Sequence, residues 1–323
     1  MENKTALPVT QSTDRQPDTD NLSVSPSREL ARLMRIATYI AVSVASVLVI
    51  AKFYAWLTTD SVSLLSTLID SMLDVAASGI NLLAVRHALE PADKDHRFGH
   101  GKAESLAGLA QSAFITGSAV FLFIEAGNRL FKPRAIEHTD TGYLVMGLSI
   151  VLTVLLVGFQ RYVIRRTKSA AIRADSLHYQ MDVLVNIGVI ISLLLVSRMG
   201  WQWADPAIAV LIAIYIVYGA WQIAQDAWDV LMDRELSDED RQQIRALALK
   251  HSDVHGVHDM RTRSSGSRIF IQLHLELDGA MVLLKSHEIA DAVERDIMAA
   301  FPNAEVIVHQ DPEGIEEDIP VFR

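Results

Sequence analysis

The chain has 323 residues, half of them hydrophobic, and its mean hydropathy of +0.23 lies between the values typical of soluble and of wholly membrane-embedded proteins. This composition predicts a membrane part joined to a soluble part. The net charge of −10 argues against a nucleic-acid-binding protein, which needs a basic face. Cysteine is absent, so disulfides and thiolate metal ligands are excluded, and any bound metal must be held by His, Asp or Glu.

The first 28 residues are polar and rich in Thr, Ser, Pro and Asp, which is typical of a disordered tail and not of a signal peptide. Six apolar segments follow, each longer than the roughly 20 residues that a membrane-spanning helix needs. They lie at about 31–58, 62–89, 105–130, 141–165, 175–199 and 203–230. We therefore predict an all-α transmembrane domain of six spans over residues 29–232.

Lysine and arginine in the short loops predict the orientation of these spans. Basic residues precede the first span and follow the second and fourth, and with six spans these three regions share one side of the membrane. The loop after the third span, with Arg129, Lys132 and Arg134, opposes this assignment but is outnumbered. Both termini are therefore expected to be cytoplasmic.

Residues 233–312 have a different pattern, because amphipathic and alternating segments replace the long apolar runs. "SDEDRQQIRALALKH" predicts a helix that starts at a capping serine, and "LLKSHEIADAVERDIMAAF" predicts a second helix. "VHGVHDMRTRSSG", "SRIFIQLHLELDG" and "AEVIVHQDP" predict strands. The order α-β-β-α-β indicates a small α+β domain in the cytoplasm. Residues 313–323 are expected to form a C-terminal tail.

Two pairs of polar residues interrupt the apolar segments. Asp70 and Asp74 lie four residues apart in the second span, as do His178 and Asp182 in the fifth, so each pair occupies one helix face. Carboxylates at membrane depth need a partner or a cavity. Three carboxylates and one imidazole predict a tetrahedral site for a divalent cation. The alternative is that these are interfacial or capping residues near the ends of the spans.

Further candidate ligands lie outside the spans. The loop "EPADKDHRFGHGKAE" holds Asp93, Asp95, His96 and His100, which can close on a metal ion or form a solvated charged loop. His87 is interpreted as a residue at the end of a span. The α+β domain carries six histidines on separate elements, which favours a metal-binding domain. Its candidate ligands are His258, His274, His287, His309 and Asp311, whereas His251, His255 and also His138 are interpreted as surface residues.

These residues resemble the cation diffusion facilitators. The resemblance rests on "DSMLD" and "HYQMD" in the spans and on "PADKDHRFGHGKAESLAGLAQS", "LMDREL", "HDMRTR", "IQLHLEL" and "VHQDP" after them. Within the family, the strings are similar to the YiiP/FieF subgroup of bacterial zinc and ferrous-iron efflux proteins. The resemblance covers residues 30 to 312. It implies a homodimer of six-span protomers with metallochaperone-like cytoplasmic domains, which exchanges a divalent metal for protons by alternating access.

The resemblance also implies roles for individual residues. Metal sites are implied in three places: the transport site at Asp70, Asp74, His178 and Asp182, the loop site at Asp93, His96 and His100, and a binuclear cytoplasmic site at His258, His274, His287, His309 and Asp311. Lys102 and Asp233 match a charge interlock at the dimer interface. The expected partners are a second copy of the chain, the lipid bilayer, protons and divalent metal ions.

The ligand types bear on the identity of the metal. Oxygen and imidazole ligands without sulfur suit Zn²⁺ and also Fe²⁺, and tetrahedral geometry favours Zn²⁺, with Cd²⁺ as a non-native substrate. We expect Zn²⁺ to be both a substrate and a structural or regulatory ion. A metal-gated channel, a membrane metal sensor and an intramembrane metalloenzyme are the alternatives. The chain has no H-E-x-x-H, G-x-S-x-G or Walker A string, so we expect that it is not an enzyme.

Overall fold

The computed structural model describes residues 28–59, 62–131, 140–199, 201 and 203–314. The predicted tails fall almost entirely outside these ranges, as does His138. Six long helices come first, and each coincides with one predicted apolar segment. Their bounds are α1 Arg28–Thr59, α2 Val62–Ala88, α3 Lys102–Phe131, α4 Asp140–Thr167, α5 Ala170–Met199 and α6 Ala204–Leu231. Within the described residues, α1, α2, α3, α4 and α6 each contain a segment long and apolar enough to cross a membrane.

Small side chains line the helix contacts of this bundle, while large apolar ones face outward. In α1, Ala37, Ala41 and Ala45 recur every four residues and are each only 1% exposed. Such a row of alanines lets a neighbouring backbone approach closely. Ile50 and Phe121, by contrast, are exposed as expected for side chains that meet lipid. The helical transmembrane domain predicted from the sequence is confirmed.

The C-terminal domain has the predicted order α-β-β-α-β. Its elements are α7 Asp238–Ala248, β1 Gly256–Ser265, β2 Arg268–Leu277, α8 Leu283–Ala300 and β3 Ala304–Pro312. The N-cap of α7 is Ser237, whose hydroxyl accepts a hydrogen bond from the Asp240 amide. The strand order is β1-β2-β3, with β1 antiparallel and β3 parallel to β2. A parallel neighbour needs a crossover connection, and α8 supplies it.

The register of the sheet puts histidines side by side. His258 of β1 pairs with His274 of β2, and His274 pairs in turn with His309 of β3. Leu273 and Leu275 are fully buried in the core of the domain. Because side chains alternate along a strand, His274 lies on the opposite face of the sheet from these leucines. One row of three histidines therefore crosses the sheet on the face away from the core.

The loop between α2 and α3 lies against the β1–β2 hairpin of the C-terminal domain. The Phe98 and Phe270 rings meet edge to face at 5.4 Å, and the Arg263 guanidinium lies 4.5 and 4.7 Å from their centroids. The backbones also touch, since a Cβ placed on Gly101 would lie 2.2 Å from the carbonyl oxygen of Ser265. A glycine is required at this position to keep the two segments together.

Candidate metal centres

The two predicted pairs of polar residues in α2 and α5 face each other. Asp74, His178 and Asp182 each offer a ligand atom within 4.8 Å of the others. The closest contact joins the two helices, with 2.8 Å between His178 Nε2 and Asp74 Oδ1. The i,i+4 spacing explains why two residues of α5 reach the same point. We call these three residues the membrane group.

A cavity of about 680 Å³ opens beside the membrane group. Asp70, the fourth predicted ligand, lies outside the three-residue group but lines this cavity together with its members. Lys52 of α1 lines it as well, and its ammonium group donates hydrogen bonds to Ser71 Oγ at 2.6 Å and to the Thr67 carbonyl at 3.3 Å. The sequence pattern did not assign Lys52 to the site, although a lone lysine within an apolar segment was a signal that could have done so.

A second polar cluster lies one helical turn before His178. Asp175 is 1% exposed and accepts hydrogen bonds from three other helices. The donors are Ser78 of α2, Gln111 of α3 and Gln160 of α4, at 3.2, 3.4 and 2.7 Å. Sequence reasoning missed Asp175, whose only signal is its position one helical turn before the predicted ligand His178. One carboxylate thus joins four helices next to the membrane group.

The loop between α2 and α3 brings together its predicted ligands. Asp93, His96 and His100 each offer a ligand atom within 4.8 Å of the others. Asp93 accepts hydrogen bonds from the backbone amides of His96 at 2.6 Å and Asp95 at 2.9 Å, and the first of these is the main reason that its pKa is lowered. Asp95 belongs to none of the ligand groups found among the described residues.

The row of histidines in the C-terminal sheet converges on one carboxylate. Asp311 Oδ2 lies 2.7 Å from His274 Nδ1 and 3.2 Å from His258 Nε2, and these three residues form a ligand group. The other oxygen, Oδ1, lies 3.0 Å from His309 Nε2. His287, also predicted here, instead lies on α8 with Nδ1 3.7 Å from Asp291 Oδ1. The chain therefore brings together four of the five predicted ligands of this domain.

Two family models match the chain in its two parts. The model described as the cation efflux transmembrane domain matches residues 38–232, and the one described as the cation efflux protein cytoplasmic domain matches residues 236–313. The chain belongs to the cation diffusion facilitator family of cation efflux proteins. The resemblance noted in the sequence is thereby confirmed, and the protein is a multi-pass membrane protein.

Curated relatives of this cation diffusion facilitator match it over most of its length. The cation-efflux pump FieF of Serratia proteamaculans is 48% identical over 284 residues, which are 88% of this chain and 94% of that protein. FieF of Klebsiella pneumoniae is 47% identical over 289 residues, or 90% and 96% of the two chains. Among solved structures, the metal-bound C-terminal domain of the CzcD transporter from Thermotoga maritima is 28% identical. The match covers 24% of this chain and 93% of the CzcD domain, with a TM-score of 0.24.

The predicted charge pair of this cation diffusion facilitator joins its two domains within a single chain. Lys102 Nζ at the start of α3 donates a 2.8 Å hydrogen bond to Asp233 Oδ1, just after α6. Arg263 Nη1 of β1 lies 3.4 Å from the same oxygen. Partial burial acts to raise the pKa of Asp233, but the hydrogen bonds and charges of Lys102 and Arg263 outweigh it and lower that pKa.

Sequence reasoning also missed two acidic residues beside the C-terminal histidines. Glu276 Oε1 lies 3.0 Å from His258 Nδ1, and Asp259 Oδ2 lies 3.7 Å from His274 Nε2. Asp259 reaches this position because the β1–β2 register shifts between His258 and Arg261, where Asp259 adopts a φ of +40°. Such a bulge redirects side chains, and nothing in the residue pattern marks it.

Proposed function

We propose that this protein exports divalent metal ions from the cytoplasm in exchange for protons, by alternating access of the membrane group to the two sides of the membrane. Zn²⁺ is the proposed principal substrate, with Fe²⁺ and Cd²⁺ as alternatives. The observation that carries the proposal is the meeting of Asp74, His178 and Asp182 beside a cavity between spanning helices. Membership of a cation efflux family supports it, as do relatives named cation-efflux pumps.

The hydrogen bond between His178 and Asp74 suggests how protons and metal exchange. His178 Nε2 and Asp74 Oδ1 lie 2.8 Å apart, which is hydrogen-bonding distance, and the same two atoms are the ones a metal ion would engage. Metal ligation requires deprotonated imidazole and carboxylate, so a proton and a metal compete for this position. Asp70, which lines the same cavity, is the proposed fourth ligand. A proton arriving from outside would then displace the metal ion.

The choice of Zn²⁺ rests on the chemistry of the ligands. The membrane group offers an imidazole and two carboxylates, and Asp70 would add a third carboxylate. Four nitrogen and oxygen ligands suit tetrahedral Zn²⁺, whereas Mg²⁺ and Ca²⁺ require six or more oxygen ligands. Fe²⁺ accepts the same ligand types.

The proposed assembly is a homodimer in the bacterial inner membrane, with both termini and the C-terminal domain in the cytoplasm. In that domain, His258, His274 and Asp311, with His309 beside them, would hold Zn²⁺. A bound ion there would add positive charge and would link the three strands through these ligands. Its proposed role is therefore structural or regulatory. We propose no enzymatic activity for the chain.

The test is metal flux into proteoliposomes that contain the full-length protein, with and without an imposed pH gradient. Zn²⁺ is compared with Fe²⁺, Cd²⁺ and Mn²⁺, while a trapped dye reports proton movement. We expect Zn²⁺ flux that follows the proton gradient and is lost in Asp74→Asn. The matched control is Asp229→Asn, since Asp229 lies on α6, pairs with Arg234 and does not line the cavity. Flux that ignores the pH gradient would identify a channel and overturn the exchange mechanism.

A further inference from the structure

The loop between α2 and α3 contains a second group of metal ligands beside the predicted one. His87, Glu90 and His100 each offer a ligand atom within 4.8 Å of the others. His87 Nδ1 lies 2.8 Å from Glu90 Oε2, and the His87 and His100 rings lie 4.4 Å apart. We propose that these three residues form a second position for a divalent metal ion, alternative to the position at Asp93 and His96 and sharing His100 with it.

Local backbone structure brings the three residues together. His87 lies in the last turn of α2, and Glu90 follows three residues later, a spacing that places both side chains on one side of the helix end. The chain then reverses and returns His100 to this point just before α3. Gly99 permits the reversal, since its φ of +78° lies in the left-handed region that glycine adopts without strain.

The environment of His100 supports a ligand role. Its side chain is 5% exposed, with Nε2 3.4 Å from Asp93 Oδ2. Its Nδ1 is buried and has no hydrogen-bond partner among the described residues. A buried polar atom without a partner destabilises a protein, and coordination of an ion by the imidazole can relieve this cost. The His100 ring lies between those of His87 and His96, at 4.4 and 4.6 Å.

The shared histidine makes the two positions alternatives. A neutral imidazole has a single nitrogen lone pair, so His100 ligates one ion at a time. Two imidazoles and one carboxylate leave a fourth coordination position open, which suits Zn²⁺ that exchanges its ligands. The side chains of His87 and Glu90 are 53% and 57% exposed, so the second position is the one that faces solvent.

Metal binding at His87, Glu90 and His100 is separate from the proposed transport, because these residues lie outside the membrane group. The simpler interpretation is an ordinary ion pair at a helix end. His255 and Glu313 form such a pair, with 2.6 Å between His255 Nδ1 and Glu313 Oε2. They are also exposed, but they belong to none of the three-residue ligand groups found among the described residues. They therefore provide a matched control.

The absence of cysteine from the chain allows a direct test. In full-length protein purified in detergent, His87→Cys places one thiol at the proposed position, and Co²⁺ is added as the probe. A thiolate bound to Co²⁺ gives a charge-transfer absorption band in the near ultraviolet. We expect the band in His87→Cys and not in His255→Cys. It should persist when Asp93→Ala and His96→Ala are added, and disappear when His100→Ala is added instead.

Two results would overturn the second position: no band in His87→Cys, or a band that survives His100→Ala. Gel filtration checks that each variant remains folded. A second measurement avoids the introduced thiol. It compares the Zn²⁺ affinity of the double variant Asp93→Ala/His96→Ala with that of the same variant carrying His87→Ala in addition. A loss of affinity on the last change is expected, and no change would contradict the proposal. Neither experiment depends on metal flux. A negative result for the second metal position is therefore distinguishable from a failure of the proposed transport.

Discussion

Gln160 Nε2 donates a 2.7 Å hydrogen bond to Asp175 Oδ2 and so joins α4 to α5 one turn before His178. Ser78 and Gln111 donate to the other oxygen of the same carboxylate. The side chain of Asp175 is therefore the point at which α2, α3, α4 and α5 are tied together. We therefore expect Asp175 to position the ligands on α5 as well as to stabilise the bundle.

This arrangement predicts different costs for two substitutions of Asp175. Asp175→Ala leaves the buried Gln111 and Gln160 amides without their acceptor, whereas the Ser78 hydroxyl can still donate to Tyr179 Oη at 2.8 Å. We expect a loss of about 2 kcal/mol or more in the free energy of unfolding, at about 1–3 kcal/mol for each unsatisfied group. Asp175→Asn should cost less, because the Gln160 amide can rotate and present Oε1, which lacks a partner among the described residues. Thermal unfolding in detergent measures the difference.

A readout at the membrane group separates positioning from simple stability. Zn²⁺ affinity should fall in Asp175→Asn even at temperatures where the variant is fully folded. Asp226→Asn is the comparison, since Asp226 pairs with Arg173 at an exposed position. Equal Zn²⁺ affinity in the two variants would show that Asp175 only stabilises the bundle.

The two aspartates of α2 should not be equivalent in metal binding. Asp74 contacts His178 directly, whereas Asp70 lines the cavity outside the three-residue group. We expect Asp74→Asn to weaken Zn²⁺ binding more than Asp70→Asn. Calorimetric titration of both variants decides the order. Equal losses would indicate that Asp70 moves fully into the coordination sphere when metal binds.

In the C-terminal domain, His274 should matter more than His287 for stabilisation by metal. His274 lies between His258 and His309 and contacts Asp311, while His287 lies apart on α8. An ion that binds the folded state raises the melting temperature. Added Zn²⁺ should therefore raise the melting temperature of His287→Ala protein nearly as much as that of the unmodified chain, and raise that of His274→Ala much less. A larger loss in His287→Ala would contradict this assignment.

The contact of Asp233 with Lys102 predicts a pH dependence of definite sign. The folded-state pKa of Asp233 lies below its ordinary value of 3.8, so its contribution to stability is fully present above about pH 5 and disappears as the pH falls through the lowered pKa. The expected size is about 1 kcal/mol or less, since both side chains are partly exposed and solvent screens the pair.

The measurement for Asp233 is the difference in melting temperature between the unmodified chain and Asp233→Asn, taken from pH 7 to pH 3. Taking the difference removes the effect of carboxyl groups common to both proteins. The two curves should run parallel at neutral pH and converge in acid. A gap that stays constant down to the lowest pH would mean that Lys102 and Arg263 do not lower this pKa.

The helices and strands follow from patterns that the sequence displays. Long apolar runs predict the six helices, and alternation predicts β2, where Leu273 and Leu275 enter the core. The i,i+4 pairs predict which faces of α2 and α5 carry ligands. These features depend on neighbours within one element, so residue spacing is enough to reveal them.

Features that depend on contacts between distant elements could not be predicted in this way. The order β1-β2-β3 and the bulge at Asp259 arise from strand pairing. Lys52 reaches the cavity, and Glu90 reaches His100, only through the packing of helices or the reversal of a loop. The residues of the Asp175 cluster come from four separate helices, and nothing in the spacing of Ser78, Gln111 and Gln160 connects them.

The close approach of Gly101 to Ser265 has a consequence for how the protein can be divided. An isolated C-terminal domain would expose Phe270, which is 5% exposed in the intact chain, and a fragment that ends after α6 would remove the ring that packs against Phe98, which is already 52% exposed. Both fragments would also lose the packing contact between the β1–β2 hairpin and the loop that joins α2 to α3. Affinities measured on either half therefore cannot be added to give those of the whole, because the loop ligands belong to a surface that only the intact chain forms.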